Sequence, residues 1–339
     1  MFLSDLFTDS IKALKGAGIL NPVLEAGAII CHVIKRDMAF FYAHKDTEEI
    51  SGKLAEEIMG KISDRASGVP FAYLTGIREF MSLPFVVSPA VLIPRPETEL
   101  LAETAICYLG KLRNGSGVKS GGGNGRMESF CAGNESYAEN RGSRGNGGHA
   151  GNEGYSGSGS HADEESKSVL DLCTGSGCVA LSVLHYVDKC RAVATDISAA
   201  ALGTARENSK KLGLSDRICF YVGDMFEALE KPEQINEKFD VITVNPPYVK
   251  TNEVPLLHVS KTVHEPSEAF DGGGDGLSFY RIIADSAFRY LKKEGIVAAE
   301  MGAGQADAVR KIFGRQYFDI QIIRDLSGIE RLITAKARY

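Results

Sequence analysis

A short apolar run that stops at two prolines is the feature that most constrains this chain. The run is Val241-Ile242-Thr243-Val244, and Asn245-Pro246-Pro247-Tyr248 follows it directly. An apolar run of this length, bounded by turn residues, predicts a buried strand. Because Pro246 and Pro247 fix their own φ angles and donate no N–H, we expect a rigid corner whose carbonyls are free to accept hydrogen bonds.

The polar groups of this corner suit a planar NH2 group. The side-chain oxygen of Asn245 and a neighbouring backbone carbonyl can each accept one N–H of a carboxamide or of an exocyclic base amine. Such a nitrogen is a weak nucleophile, so holding it in line with an electrophilic methyl would act through positioning. Tyr248 adds an aromatic face for the amide or for a sulfonium cation. An ordinary turn after a strand is the alternative explanation of the same residues.

A glycine-rich turn predicts a second ligand position. Residues 168–172 have the composition of a strand, Cys173-Thr174-Gly175-Ser176-Gly177 follows, and a helix is expected from Cys178 onward. Glycines in such a turn let the backbone approach a nucleoside-type ligand closely. The spacing differs from G-x-G-x-x-G, and no Gly-Lys-Ser/Thr follows, so neither a dinucleotide fingerprint nor a phosphate-binding loop is indicated.

Two later strands also end in acidic residues. Residues 192–195 predict a strand that ends at Asp196, at the spacing of about 20 residues where an acid can accept both ribose hydroxyls. Capping of the following helix, by Asp196 or by Ser198, is the alternative role. Residues 217–222 predict a third strand, after which Asp224 could hold an adenine amine and Met225 or Phe226 could cover the ring.

Alternating strands and helices predict the fold class. The pattern favours an α/β fold with a largely parallel sheet, in which ligands lie at the carboxyl ends of the strands. A helix is expected over residues 278–291, and the closing strands, near 318–323 and 329–335, are expected to pair antiparallel. The loop over residues 264–277, which ends in a glycine-rich segment, is long enough to predict a lid over the substrate.

The chain of 339 residues divides into three expected parts. Apolar residues at helical spacing predict a small helical recognition domain over residues 1–70. Residues 71–94 predict a β-hairpin linker, and residues 95–339 the catalytic domain. Within the latter, glycine, serine and asparagine dominate a segment at about 113–166, whose composition predicts a disordered insertion.

Charge and composition exclude several classes of function. A net charge of −6 argues against a large non-specific surface for nucleic acid, because such binding neutralises many phosphates. No apolar run is long enough for a membrane span, and the N-terminus lacks the features of a signal peptide, so a cytoplasmic location is expected. The seven cysteines contain no Cys-x-x-Cys pair, and no metal site is expected.

These motifs resemble those of the PrmC/HemK family of glutamine methyltransferases. Members of that family methylate the side-chain nitrogen (N5) of the glutamine in the Gly-Gly-Gln motif of peptide chain release factors. The resemblance covers nearly the whole chain outside the glycine-rich segment. It is carried by residues 91–99 (VLIPRPETE), 171–177 (DLCTGSG), 245–249 (NPPYV), 265–266 (EP), 275–277 (DGL) and 328–331 (GIER).

The resemblance implies a class I S-adenosylmethionine-dependent methyltransferase with a seven-stranded, mostly parallel, Rossmann-like sheet. Its helical N-terminal domain would contact the release factor, and S-adenosylhomocysteine would be the product. A monomer is expected, without a stable nucleic-acid or membrane partner. The implied donor-binding residues are Cys173, Thr174, Gly175, Ser176, Gly177, Asp196, Asp224, Met225 and Asn245. The substrate glutamine would be held by Asn245, Pro246, Pro247 and Tyr248, of which Asn245, Pro246 and Tyr248 are the expected catalytic residues.

Three departures from the family pattern concern positions near the donor and the corner. Cys173 replaces a usual glycine, Met225 a frequent aromatic residue, and His264 a common tyrosine before Glu-Pro. Three alternative functions remain open. A related enzyme could methylate a glutamine of a ribosomal protein, or the corner could hold a flipped adenine or cytosine, although no basic groove is evident. The third is a binding module without catalysis, which the intact corner and Asp196 disfavour.

Overall fold

The computed structural model describes residues 1–111, 166–230, 238–258 and 264–338. The glycine-rich segment predicted as a disordered insertion at about 113–166 lies outside the described residues, apart from Ser166. Within the described parts, no helix is long and apolar enough to cross a membrane.

The N-terminal region is helical, as its periodicity predicted. The helices are α1 (Leu3–Gly16), α2 (Pro22–Ile34), α3 (Met38–His44), α4 (Gly52–Ala66) and α5 (Phe71–Thr75). Asn21 precedes α2 and Pro22 occupies its first turn, where a missing N–H leaves no hydrogen bond unmade. Leu3, Leu6 and Leu14 on one face of α1 are buried against apolar residues of α2 and α4.

The linker is only partly the hairpin that the sequence predicts. Strands β1 (Ile77–Phe80) and β2 (Leu83–Val86) pair antiparallel, but residues 71–75 form helix α5 and residues 87–94 form no strand. Pro84 is tolerated because this two-stranded sheet has only edge strands. Pro89 and Pro94 cannot donate a ladder hydrogen bond, which explains why the pairing stops early.

The main sheet contains seven strands: β3 (Lys167–Leu172), β4 (Cys190–Asp196), β5 (Ile218–Val222), β6 (Phe239–Val244), β7 (Leu291–Glu300), β8 (Tyr317–Arg324) and β9 (Glu330–Ala337). Their order in the sheet is β5-β4-β3-β6-β7-β9-β8. The first five strands of this order are parallel to one another, while β9 pairs antiparallel with β7 and with β8. The seven-stranded, mostly parallel sheet and its antiparallel edge therefore confirm the prediction.

Helices cover both faces of this sheet. Successive β3 residues point to opposite sides, so Val169 belongs to one apolar cluster and Leu170 to the other. The helices of this region are α6 (Glu99–Lys111), α7 (Cys178–Tyr186), α8 (Ala199–Lys211), α9 (Val254–His258), α10 (Ser278–Ser286) and α11 (Ala306–Phe313). The helix predicted for 278–291 ends early, because Leu291 already pairs with Phe239 in the sheet.

The strand order determines at which point of the sheet edge a crevice opens. From β3 the chain proceeds outward through β4 to β5, whereas β6 lies on the opposite side of β3. A crevice opens at such a reversal, outside the carboxyl ends of the strands. The glycine-rich turn after β3 and the Asn-Pro-Pro-Tyr corner after β6 both lie at this point.

Candidate active site

A cavity of about 810 Å³ opens at the carboxyl ends of β3, β4, β5 and β6. Its wall includes most of the predicted site residues: Cys173, Thr174, Gly175, Ser176, Asp196, Asp224, Met225, Asn245 and Pro247. Gly177, Pro246 and Tyr248 are adjacent in sequence to lining residues but are not part of the wall. The cavity thus brings the turn, the acidic residues and the corner together.

Asp196 and the glycine-rich turn form one hydrogen-bonded unit. Oδ2 of Asp196 accepts the backbone N–H of Gly175 at 2.8 Å, and Oδ1 accepts that of Ser198 at 2.9 Å. Gly175 has a φ of 55°, and a Cβ added there would meet nothing within 4 Å. Burial raises the pKa of Asp196. Each carboxylate oxygen retains one acceptor position for a ligand hydroxyl.

Asp171 fixes the start of the same turn. This buried carboxylate accepts the hydroxyls of Thr174 at 2.6 Å and of Thr243 at 2.7 Å. Burial raises its pKa to about 6, and the two hydroxyl donors partly offset that shift. Because Thr243 belongs to β6, the turn after β3 is tied to the strand that carries the corner.

Cys173 and Met225 meet at the cavity wall. Both have positive φ angles, 54° and 46°, and their sulfur atoms are 3.5 Å apart. A left-handed backbone is strained for residues with a Cβ, so Cys173 and Met225 both carry backbone strain that glycine would not have. Burial raises the pKa of the Cys173 thiol well above its usual range, so this thiol is neutral.

The three residues predicted to lie near an adenine are placed differently from one another. Asp224 is exposed and Met225 is buried, and both line the cavity. Phe226 does not: it stacks on Tyr290, with 5.1 Å between ring centroids, inside an apolar cluster. Of the two residues considered as a cover for the ring, only Met225 is therefore placed for that role. Ile197, which the motifs did not predict, also lines the cavity and is 65% exposed.

Asn245 presents its amide to the cavity in a defined orientation. Its Nδ2 donates to the hydroxyl of Thr98 at 3.1 Å, which leaves Oδ1 as an acceptor. Among the described residues, no backbone hydrogen bond outside the helices and strands uses the carbonyl of Pro246. Burial, followed by the charge of Glu300, raises the pKa of Tyr248 to about 12, so its phenol remains protonated.

The glycine-rich loop 271–277 packs against the backbone of the Asn-Pro-Pro-Tyr corner. Gly272 donates its N–H to the carbonyl of Val249 at 2.7 Å, and an added Cβ at Gly272 would lie 2.7 Å from Cα of Tyr248. Gln305 Nε2 donates to the Tyr248 carbonyl at 3.0 Å. Close approach of two backbones thus explains this glycine, whereas the predicted lid motion stays a prediction.

An ion pair joins the linker to the loop beyond the corner. Arg95 Nη2 lies 2.5 Å from Oε2 of Glu265, whose Oε1 accepts the backbone N–H of Ile93 at 3.0 Å. The Glu265 side chain is almost wholly buried, so both of its oxygens need these partners. The contact holds segments 91–95 and 265–269 against the cavity.

Three further residues of this region were not predicted from the motifs. Thr98 lies between Glu97 and Glu99 and belongs to no apolar pattern. Glu300 follows four apolar residues at the end of β7, and this position at the carboxyl end of a strand is the signal that marks it. Asn208 is wholly buried and contacts both the hairpin and the turn. Asn208 is one of several polar residues in its helix, so the sequence does not indicate that it is the one with this role.

The described residues contain no group of three or more His, Cys, Asp or Glu side chains that could hold a metal ion.

Comparison with known proteins identifies relatives for nearly the whole chain. Residues 160–301 match the family described as "Methyltransferase small domain", and residues 5–76 match "PrmC N-terminal domain". The "Release factor glutamine methyltransferase" of Moorella thermoacetica is 32% identical over 340 residues, which cover 100% of this chain and 99% of that protein. The protein of the same name from Thermodesulfovibrio yellowstonii is 34% identical, with 96% of each chain covered.

A "Bifunctional methyltransferase" of Rickettsia felis is 34% identical over 98% of this chain, and the chain spans 57% of that longer protein. Among solved structures, a release factor-specific protein-(glutamine-N5) methyltransferase from Alicyclobacillus acidocaldarius has 23% identity and a TM-score of 0.37, over 75% of this chain and all of that one. By its full-length similarity to the Moorella and Thermodesulfovibrio proteins, the chain belongs to the release factor glutamine methyltransferase family.

Proposed function

We propose that this protein transfers a methyl group from S-adenosylmethionine to the side-chain amide nitrogen (N5) of a glutamine in peptide chain release factors. The observation that carries the proposal is the corner after β6, where Asn245 lines the cavity and its Nδ2 is used by Thr98, which leaves Oδ1 as an acceptor. Among the described residues, the Pro246 carbonyl accepts no backbone hydrogen bond outside the helices and strands. Its full-length relatives support the choice of substrate.

The cavity fits the methyl donor in size and chemistry. A volume of about 810 Å³ is within the range of about 300–1,000 Å³ that ligand pockets span. Gly175 leaves open space where a side chain would stand, and Asp196 retains acceptor positions suited to ribose hydroxyls. Cys173, Thr174, Ser176, Gly177, Asp224 and Met225 would hold the remainder of the donor. When bound, S-adenosylmethionine supplies an electrophilic methyl on a sulfonium.

The corner supplies position and polarity rather than a base. Asn245 Oδ1 and the Pro246 carbonyl each accept one N–H of the glutamine amide, which fixes the amide plane and raises electron density on nitrogen. Pro247 keeps this arrangement rigid, and Tyr248 packs beside the amide. As the new C–N bond forms, the bond between the methyl and the sulfonium sulfur breaks and S-adenosylhomocysteine leaves. The nitrogen loses one proton to water, and the product is a secondary amide.

Three further proposals accompany this function. The helices α1 to α5 recognise the release factor, the enzyme acts as a monomer, and it works in the cytoplasm. Neither a stable nucleic-acid partner nor a membrane is part of the proposal.

The experiment is methyl transfer from labelled S-adenosylmethionine to a purified bacterial-type release factor. The matched control is the same factor with the glutamine of its Gly-Gly-Gln motif replaced by alanine. Label on the intact factor alone supports the proposal. Equal labelling of both factors would place the methyl elsewhere and contradict it.

A second control separates the corner from the donor site. Asn245→Ala should lower kcat by about 100-fold, because the amide loses one of its two positioning contacts. Its dissociation constant for the donor should change little. If wild-type enzyme labels no release factor but methylates a ribosomal protein or a nucleic acid, the substrate proposal is wrong.

A further inference from the structure

We propose that Gln305 is a positioning residue, whose side-chain amide fixes the backbone and the ring of Tyr248 beside the substrate amide. The proposal deepens the proposed function and rests on it for its kinetic part. Gln305 belongs neither to the expected donor and substrate contacts nor to the wall of the cavity. It would therefore influence the reaction only through Tyr248.

Gln305 stands where a helix begins, but its side chain does not cap that helix. It is the last residue before α11, and its amide makes no hydrogen bond to the first turn. Ser, Thr, Asp, Asn and Gly are the residues preferred at this position, so glutamine is not explained by capping. A turn over residues 302–305 precedes the helix, in which the N–H of Gln305 donates to the Gly302 carbonyl at 3.2 Å. The side-chain amide is free to contact the corner.

Backbone groups decide which way this amide points. Its Nε2 donates to the carbonyls of Tyr248 at 3.0 Å and of Gly276 at 3.2 Å. Its Oε1 accepts the backbone N–H of Gly302 at 2.9 Å and lies 3.4 Å from the hydroxyl of Tyr280. A carbonyl can only accept and a backbone N–H can only donate, so a turned amide would lose all three backbone partners. The orientation of the amide follows from these fixed groups.

The same amide holds the surface on which the Tyr248 ring lies. A Cβ added at Gly302 would be 3.0 Å from Cδ2 of Tyr248 and 2.9 Å from Oε1 of Gln305. The ring therefore packs directly against the backbone at Gly302, whose N–H the amide binds. Gln305 thus holds Tyr248 in two places, at its carbonyl directly and at its ring through Gly302.

Gly276 leaves the space that this amide needs. A Cβ added there would lie 2.6 Å from the Tyr248 carbonyl oxygen and 2.9 Å from Nε2 of Gln305, which only glycine avoids. Without Nε2, the carbonyl oxygens of Tyr248 and Gly276 would have no donor between them. Because carbonyls that are removed from water need a hydrogen-bond partner, we expect the corner and the loop to separate.

The first test needs no substrate. In protein labelled with 13C at its tyrosine carbonyls, the Tyr248 resonance is assigned by its loss in Tyr248→Phe. Gln305→Met should shift this resonance upfield, because the carbonyl loses its hydrogen bond. Gln305→Glu, measured at pH 8, should shift it in the same direction, because a carboxylate has no proton to donate. An unchanged Tyr248 resonance in both variants would overturn the proposal, whatever the substrate is.

The second test separates turnover from donor binding. Gln305→Met should lower kcat by about 10- to 100-fold, because Tyr248 is no longer held beside the reacting nitrogen. The dissociation constant of the donor should stay unchanged, since Gln305 contacts no residue of the glycine-rich turn 173–177.

Gln305→Glu tests which half of the amide matters. It retains an acceptor for the Gly302 N–H but has no donor for the two carbonyls, so it should lose as much turnover as Gln305→Met. Gln321→Met is the matched control. Gln321 belongs to the edge strand β8, where its amide donates to Asp319 at an exposed position, and this variant should keep the wild-type kcat.

The readouts separate the possible failures. Wild-type turnover in Gln305→Glu would mean that only the bond to Gly302 matters, which contradicts the hold on the Tyr248 carbonyl. Equal losses in donor affinity and in kcat, or failure of both variants to fold, would mean that Gln305 supports the fold alone, which also contradicts it. Absence of methyl transfer by the wild-type enzyme counts against the proposed function, while the carbonyl measurement still decides the role of Gln305.

Discussion

The carboxylate of Asp196 accepts the backbone N–H of Gly175, with 2.8 Å between Oδ2 and the nitrogen. Asp196 ends β4, and Gly175 belongs to the turn after β3, so this bond holds two neighbouring strand ends in register. The second oxygen accepts the N–H of Ser198. One side chain thus shapes the turn and still offers acceptor positions to a ligand, which explains why capping and ribose binding are not exclusive roles.

Asp196→Ala should therefore weaken donor binding more than a lost ligand contact alone would. We expect the dissociation constant of S-adenosylmethionine, measured by calorimetry, to rise by about 10- to 100-fold, as two charge-assisted contacts and the support of the turn disappear. Asp216→Ala, which removes an exposed acid near β5, should leave it unchanged. An unaltered donor affinity in Asp196→Ala would remove this residue from the site.

Gly272→Ala should slow methyl transfer without affecting donor binding. The added Cβ would lie 2.7 Å from Cα of Tyr248 and 2.8 Å from the Pro247 carbonyl, so the corner backbone must shift. A displacement near 1 Å at a reacting group lowers the rate by about 100-fold. Gly274→Ala is the matched control, because a Cβ there meets nothing within 4 Å. Comparable kcat values for the two variants would contradict the prediction, because they would mean that the loop accommodates the added Cβ without displacing the corner.

Asn208→Ala should destabilise the protein. Its Nδ2 donates to the carbonyls of Val86 (3.0 Å) and Ser176 (2.9 Å), and its Oδ1 accepts the N–H of Val86 at 2.7 Å. Removal of this wholly buried side chain leaves the three backbone groups without their partner, which should lower the free energy of unfolding by about 2–4 kcal/mol. Urea denaturation measures the change, with the exposed Asn252→Ala as control. A loss below about 1 kcal/mol would mean that water replaces the amide.

Sequence patterns predicted the sheet well because each strand carries its own signal. The strand predicted at residues 241–244 lies within β6, and the residues that follow β3, β4, β5 and β6 do border one cavity. These features depend on periodicity, turn residues and the parallel topology, all of which are local or follow from general rules.

Sequence patterns did not predict the features that depend on tertiary contacts. Helix α5 occupies the first residues of the segment predicted as a hairpin. Phe226 stacks on Tyr290 instead of bordering the cavity. The link between Asn245 and Thr98 joins residues 147 positions apart, and no pattern in either segment specifies its partner. Polar residues that act by holding another side chain leave a weak trace in composition, which is why Thr98 and Asn208 were missed.

The titration of Glu300 should be visible in the pH dependence of stability. Burial raises the pKa of this carboxyl from its ordinary value of 4.5 to about 7, so the folded protein binds its proton more tightly than the unfolded chain does. Its contribution to the free energy of unfolding is therefore fully present below pH 4.5 and is lost as the pH rises to about 7. By linkage this loss amounts to about 3 kcal/mol. Glu300→Gln cannot ionise and should lack it. In urea denaturation at pH 5 and pH 8, the variant should gain stability relative to the wild type toward pH 8. A constant difference between the two proteins at both pH values would mean that Glu300 keeps an ordinary pKa in the folded state.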